Sequence, residues 1–170
     1  PNDPRPINQL GLTLYFMGKP DEAIKNFQKA LDLNPNSPEI LNNQAIAFDS
    51  IGDIKNAEDG FRKALSINPN YPEAQNNLGN TLKKNGKIGE AIACYQEALR
   101  ISPEYADAYN NLGVALKELL KIEEAISNYK KALQINPSLL DAHINLSVAL
   151  NDLGKTEEAI SEYKKILETN

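Results

Sequence analysis

The sequence predicts an all-α solenoid made of five helix-turn-helix repeats, with about ten helices in total. A block of 34 residues recurs five times without insertion or deletion. Within each block, apolar and small residues recur at helical spacing, and glycine or proline stands where a helix should end. Repeats of this period usually stack so that each unit packs only on its neighbours. We therefore expect a single array over residues 1–170.

The blocks are numbered here from position 1 to position 34, and each predicted helix pair is called helix A and helix B. They span residues 4–37, 38–71, 72–105, 106–139 and 140–170, so that the last block is incomplete and has no separate capping helix. Leu78, Gly79 and Leu82 illustrate the buried stripe of helix A. A glycine, which tolerates a left-handed backbone, then ends helix A in four blocks. Those turn residues are Gly18, Gly52, Gly86 and Gly154.

Helix B has acidic residues in its first turn and basic residues near its end, an order that complements the helix dipole. Its apolar face combines small and aromatic residues, as in Ala91, Tyr95 and Ala98. Proline disfavours helix at the preceding residue, so Pro35, Pro69, Pro103 and Pro137 should end helix B in four blocks. Ser37-Pro38 has the pattern of an N-cap followed by proline in the first helical position.

Several residues depart from the block pattern. Gln44 occupies a leucine position, and Gly60 lies inside helix B, where glycine costs about 1 kcal/mol relative to alanine, so block 2 should be the least stable. Leu120 occupies the turn glycine position, where a positive φ costs about 1–2 kcal/mol, and we expect a reshaped turn there. Ile166 occupies an alanine position near the end of block 5, which predicts an exposed apolar end face.

The repeated residues resemble the signature of the tetratricopeptide repeat (TPR) family. In block 4 the eight signature positions hold Tyr109, Leu112, Gly113, Leu116, Ala125, Tyr129, Ala132 and Pro137. The resemblance covers residues 4–170. It implies antiparallel helix pairs stacked into a right-handed superhelix, with the A helices lining a concave groove that commonly holds a peptide or a segment of a partner protein.

Primary amides recur at two adjacent positions of helix A. Position 6 holds Gln9, Asn43, Asn77, Asn111 and Asn145, and position 5 holds Asn8, Asn42, Asn76, Asn110 and Ile144. An amide offers both donors and acceptors to a peptide backbone, whatever that peptide's side chains are. The row is similar to the asparagines in the TPR superhelix of O-linked N-acetylglucosamine transferase. The alternative is that the amides bond only between repeats.

Basic residues near the end of helix A predict that the groove weakly prefers an acidic ligand segment. The alternative is that these residues only form a solvated charged face. The full set of candidate peptide-binding residues is Gln9, Asn42, Asn43, Asn76, Asn77, Asn80, Lys83, Lys84, Asn110, Asn111, Lys117 and Asn145.

Composition argues against several function classes. The net charge of −5 and the pI near 5.0 disfavour nucleic acid as a partner. No apolar run approaches the roughly 20 residues that cross a bilayer. Cys94 is the only cysteine and His143 the only histidine, so we expect no disulfide, no metal site, no cofactor and no catalytic centre. A reducing cytoplasm fits this segment best.

Three functional hypotheses follow. The favoured one is a non-catalytic interaction scaffold that binds a protein or peptide ligand in the groove. The second is the substrate-recruiting arm of an enzyme, such as a glycosyltransferase, whose catalytic domain lies outside these residues. The third is a homo-oligomer joined through exposed ends of the solenoid.

Overall fold

A computed structural model describes residues 3–168, and within that range the chain forms ten α-helices and no β-strand. This confirms the predicted all-α fold class. Residues 1, 2, 169 and 170 of the expected array lie outside the described residues. The helices are α1 (Pro4–Phe16), α2 (Pro20–Leu33), α3 (Pro38–Ser50), α4 (Ile54–Ile67), α5 (Pro72–Lys84), α6 (Ile88–Ile101), α7 (Ala106–Glu118), α8 (Ile122–Ile135), α9 (Leu140–Asp152) and α10 (Thr156–Glu168).

The chain divides into two compact units, Pro1–Asn85 with α1 to α5 and Gly86–Asn170 with α6 to α10. In the first unit, α1 approaches α3 and α3 approaches α5, with Cα atoms within 8 Å of each other. Among the described residues, α2 and α4 make no approach of this kind. In the second unit α7 likewise approaches α9. The A helices therefore pack closely within each unit, whereas the B helices leave a wedge between them. The single array over residues 1–170 stays a prediction.

Helix boundaries follow the local sequence. The Ser37 side chain accepts a hydrogen bond from the Ile40 amide at 3.4 Å, and Pro38 begins α3. The B helices of the first four repeats end two residues before a proline, at Leu33, Ile67, Ile101 and Ile135. At the start of α3, Ser37 satisfies and Pro38 removes a backbone donor that would otherwise be unpaired, whereas the prolines after the B helices disfavour helix at the preceding residue.

In repeats 1, 2 and 4, alanines and one aromatic ring of helix B form the core against helix A. Tyr129 and Ala132 are fully buried, as are the residues at the same positions of the preceding repeats. A Cβ atom on Gly113 of α7 would lie only 2.5 Å from Cε1 of Tyr129. Glycine at this position of helix A therefore lets the two helices of the repeat approach until the ring fills the space between them.

Repeat 2 reaches the same approach with a different pair of residues. Ala45 replaces the helix A glycine, and α4 keeps an aromatic ring, Phe61, at the position of Tyr129 but has Gly60 immediately before it. A Cβ atom on Gly60 would lie 2.9 Å from Cβ of Ala45, which is too close for two carbon atoms. Gly60 was expected only to weaken helix B, but it also removes the atom that Ala45 would strike.

The turn at Leu120 is not reshaped, so that expectation is wrong. Leu120 has φ of 60°, compared with 72° to 78° for the four turn glycines. The amide of Lys121 donates to the Leu116 carbonyl at 3.0 Å, as the amide of Lys19 does to Leu14 in repeat 1. The leucine therefore adopts the glycine conformation and retains its strain. Its side chain is 83% exposed, so no burial offsets that strain.

Among the described residues, one buried side-chain polar atom has no hydrogen-bond partner. The Tyr129 hydroxyl is inaccessible to solvent and makes no hydrogen bond within the described residues. Burial raises the pKa of the Tyr129 phenol, and the nearby Glu118 carboxylate adds to that rise. The neutral phenol is thus favoured in the folded state. Because ionising the buried phenol is unfavourable, the fold loses stability as pH rises above the unfolded phenol pKa of about 10 and is unaffected by this group below it.

Helix α10 exposes several apolar side chains. Ala159 is buried against the rest of the unit, but Ile160 and Tyr163 are nearly half exposed and Leu167 is largely exposed. Tyr163 occupies the position at which Tyr95 and Tyr129 are fully buried. The described part of the fifth repeat therefore has an uncovered apolar face.

Leu120→Gly should raise the free energy of unfolding by about 0.5–1 kcal/mol, because it removes the left-handed strain and costs some unfolded-state entropy. Urea denaturation followed by circular dichroism measures the change. Leu119→Gly is the matched control, since Leu119 has φ of −89° and gains nothing from glycine. Loss of stability in Leu120→Gly would contradict the strain.

Gly60→Ala should destabilise the protein by about 1 kcal/mol despite alanine's higher helix propensity, because it overpacks against Ala45. In an Ala45→Gly background the same change should stabilise by about 1 kcal/mol. A double-mutant cycle by urea denaturation therefore gives a coupling of about 2 kcal/mol. Additive effects would show that the two positions do not compete for space.

Tyr129→Phe should stabilise the protein by about 1 kcal/mol, because it removes a buried hydroxyl without changing the ring. It should also reduce the loss of stability above pH ~10. Tyr95→Phe is the control, since Tyr95 occupies the same repeat position and is not without a partner. Unfolding curves at neutral and alkaline pH test both statements, and lower stability of Tyr129→Phe at neutral pH would contradict them.

Candidate functional site

The two amide rows of the A helices differ in exposure. The position 5 asparagines are buried, with 4–8% of their surface exposed, whereas the position 6 asparagines are half-buried. The exceptions are Ile144 at position 5 and Gln9 at position 6, both of which are exposed. Position 6 is thus the row that a ligand could reach.

The two rows are joined by hydrogen bonds between consecutive repeats. Nδ2 of Asn43 donates to Oδ1 of Asn8 at 3.2 Å. Asn77 donates in the same way to Asn42 at 3.4 Å. In the second unit, Asn145 donates to Asn110 at 2.9 Å. We call these bonded pairs the amide ladder.

The repeat length explains the ladder. Bonded partners are 35 residues apart, which is one repeat plus one residue. Because A helices of consecutive repeats lie side by side within each unit, position 6 of one repeat faces position 5 of the repeat before it. Bonding between repeats was one of the two predicted roles of the amides, but the pairing of position 6 with position 5 of the preceding repeat was not predicted.

The ladder fixes how Asn43, Asn77 and Asn145 are oriented. The nitrogen of each is committed to the preceding repeat, so its carbonyl oxygen points elsewhere. For Asn43, Asn77 and Asn145, that oxygen accepts no hydrogen bond from the residues that the structure describes. These three side chains therefore present held acceptors, each with a second N–H donor.

The predicted basic residues mostly meet carboxylates. Lys84 forms an ion pair with Asp49 of the preceding repeat. Lys117 pairs with Asp152 of the following repeat at 3.0 Å. Lys83 and the amide Asn80 are half-buried, and neither is without a partner. The two ion pairs weaken the case for an acidic ligand, because their lysine charges are already matched.

The residues that could ligate a metal ion or act in catalysis do not come together in the described part of the chain. Within residues 3–168 no group of three or more His, Cys, Asp or Glu side chains has the geometry to hold a metal ion. His143 contacts the Glu162 carboxylate at 3.1 Å and the Pro137 carbonyl at 2.9 Å. It thereby links α9 to α10. Cys94 is a half-buried free thiol.

None of the described helices combines the length and the apolar character that crossing a membrane requires.

Models of known families match nearly the whole chain. Tetratricopeptide repeat models match residues 5–37 and 106–139, residues 26–59 and 61–93, and residues 140–170. A further model, described as TPR repeat, matches residues 79–119. No curated protein matches significantly.

Solved structures give the same result. A crystal structure of MamA is 28% identical, with a TM-score of 0.81, and the match covers 93% of this chain and 92% of that one. The pilF protein of Pseudomonas aeruginosa is 24% identical, with a TM-score of 0.92 and coverage of 99% and 77%. YrrB, described as a TPR protein with an unusual peptide-binding site, is 22% identical, with a TM-score of 0.73 and coverage of 98% and 86%. At these identities pilF and YrrB show the fold alone. With its 34-residue period, its buried alanine and aromatic positions and these matches, the chain belongs to the tetratricopeptide repeat family.

Proposed function

We propose that this chain is a non-catalytic interaction scaffold that binds an extended segment of another protein along the A-helix side of a unit. Position 6 amides contact the backbone of that segment. The binding is broad in sequence specificity, because an amide pairs with any peptide N–H or C=O group.

The amide ladder is the observation that carries this proposal. A free asparagine side chain loses rotamer freedom when it binds, and that loss reduces affinity. Here Asn43 and Asn77 are already held by Asn8 and Asn42, while their carbonyl oxygens accept no bond from the described residues. Two amides of one unit are thereby preorganised for a ligand. Structural bonding and ligand contact are compatible, because an amide has two donors and one acceptor oxygen.

The spacing of the rows suits an extended ligand. Neighbouring helices lie about 8–10 Å apart. An extended chain advances about 3.3 Å per residue, so successive amides meet every third residue or so. Because Lys84 and Lys117 are paired with carboxylates, the backbone rather than an acidic side chain is the feature recognised.

The test compares two double variants that break the same pair of hydrogen bonds. Asn43→Ala with Asn77→Ala removes the two half-buried amides, whereas Asn8→Ala with Asn42→Ala removes only their buried acceptors. Peptides are first selected with the wild-type chain from an array of random sequences. The first double variant should bind them about 30-fold more weakly, because two backbone hydrogen bonds are lost. The second should bind within a few-fold of wild type.

Affinities are measured by fluorescence anisotropy at a temperature at which circular dichroism shows both variants folded. Equal loss in both variants would mean that the amides serve only to join repeats. An array that yields no binder would also contradict the proposal.

A further inference from the structure

A second cleft lies on the B-helix side of the first unit, in the wedge between α2 and α4. Its volume is about 480 Å³. The corresponding wedge of the second unit, between α8 and α10, measures about 320 Å³ and has Leu146 in its wall. In the first unit the same repeat position is Gln44, which is nine-tenths buried. The larger cleft is thus the one with a buried amide in its wall.

The orientation of Gln44 follows from its neighbours. Nε2 of Gln28 donates to the Asp32 carboxylate at 2.9 Å, since a carboxylate only accepts. The Gln28 oxygen therefore faces Gln44, which must donate its own Nε2 at 3.3 Å. This leaves Oε1 of Gln44 without a hydrogen bond from any described residue. This oxygen is not fully enclosed, so water or a ligand donor that enters the cleft can bond to it.

Two charged groups flank that acceptor. Asp32 on α2 accepts from Gln28 through one oxygen, and its second oxygen has no partner among the described residues. Lys63 on α4 also lines the cleft and forms no ion pair within the same residues. The walls that face each other therefore carry opposite and uncompensated charges.

The remaining lining is apolar. Leu31, Leu41 and Ile67 come from α2, α3 and α4 and lie in the same cleft. A volume of about 480 Å³ falls within the roughly 300–1,000 Å³ typical of ligand pockets. A ligand that complements this cleft has an apolar side chain, an N–H donor and one charge of each sign.

We propose that this cleft is a second binding site for a short peptide segment in which an apolar residue lies between a basic and an acidic residue. The apolar side chain packs on Leu31, Leu41 and Ile67, and a backbone N–H of the segment donates to Oε1 of Gln44. The basic side chain pairs with Asp32 and the acidic one with Lys63. Free amino acids and apolar small molecules each supply only part of this set.

The cleft is separate from the amide ladder. Asn43 and Gln44 are consecutive residues of α3, so their side chains project about 100° apart around the helix. Asn43 bonds to Asn8 on the A-helix side, and Gln44 bonds to Gln28 of α2. The proposal therefore does not depend on peptide binding along the A helices.

The experiment titrates ¹⁵N-labelled protein with the tripeptide N-acetyl-Lys-Leu-Glu-amide and follows the side-chain amide signals of Gln44 and Gln28 by NMR. The expected result is a saturable shift at millimolar peptide. Gln44→Leu should weaken binding about tenfold or more, because the acceptor is lost and the cleft is filled. This variant keeps the fold, since leucine occupies the same position in repeats 3 to 5. Asp32→Asn and Lys63→Met should each weaken binding several-fold.

Two comparisons make the result decisive. N-acetyl-Glu-Leu-Glu-amide and N-acetyl-Lys-Gln-Glu-amide should bind more weakly than the first peptide, because one lacks the basic group and the other the apolar side chain. The Asn43→Ala, Asn77→Ala variant should bind the first peptide as wild type does, which separates this cleft from the ladder. No saturable shift, equal binding by Gln44→Leu, or equal binding of all three peptides would overturn the proposal.

Discussion

Close approach of helix A and helix B within a repeat is the constraint on which the rest of the structure depends. In repeats 1, 2 and 4 the two helices meet where one of them has a glycine at the contact. A Cβ on Gly11 would lie 2.6 Å from the Phe27 ring, and Gly113 stands in the same relation to Tyr129. In repeat 2 the missing atoms are on Gly60 instead. Close approach in repeat 2 therefore depends on a glycine at a different place in the repeat from the glycine of repeats 1 and 4.

This approach sets the position of helix A in each repeat, and the amide ladder depends on it. The bond from Asn145 to Asn110 requires two A helices in fixed register. The same register brings Lys117 to Asp152 further along the helices. The packing that forms the fold thereby also holds the amides of the ladder in place. The same residues therefore contribute to ligand affinity and to stability. This coupling explains why a buried row and a half-buried row recur together.

Most of the fold could be predicted from the sequence because the residues that end its helices act locally. Proline and glycine mark helix ends through backbone chemistry alone, and the period of 34 residues gives the repeat phase. The turn at Leu120 could not be predicted, because tertiary packing holds the backbone in a conformation that leucine disfavours. The candidate amides were identified by residue type, but their bonds between repeats were left as an alternative. The open oxygen of Gln44 depends on the orientation of three successive side chains, which spacing alone does not give.

The ion pairs at the ends of the A helices have opposite polarity in the two units. In the first unit an aspartate at position 12, Asp49, meets a lysine at position 13, Lys84. In the second unit Lys117 at position 12 meets Asp152 at position 13. A chain in which repeat 5 directly followed repeat 2 would bring Asp49 against Asp152. Although each exposed pair contributes only about 0.2–1 kcal/mol, like charges at the junction oppose that arrangement. Repeats with the same backbone structure therefore cannot be exchanged freely. The charges at positions 12 and 13 favour one order of repeats along the chain over another.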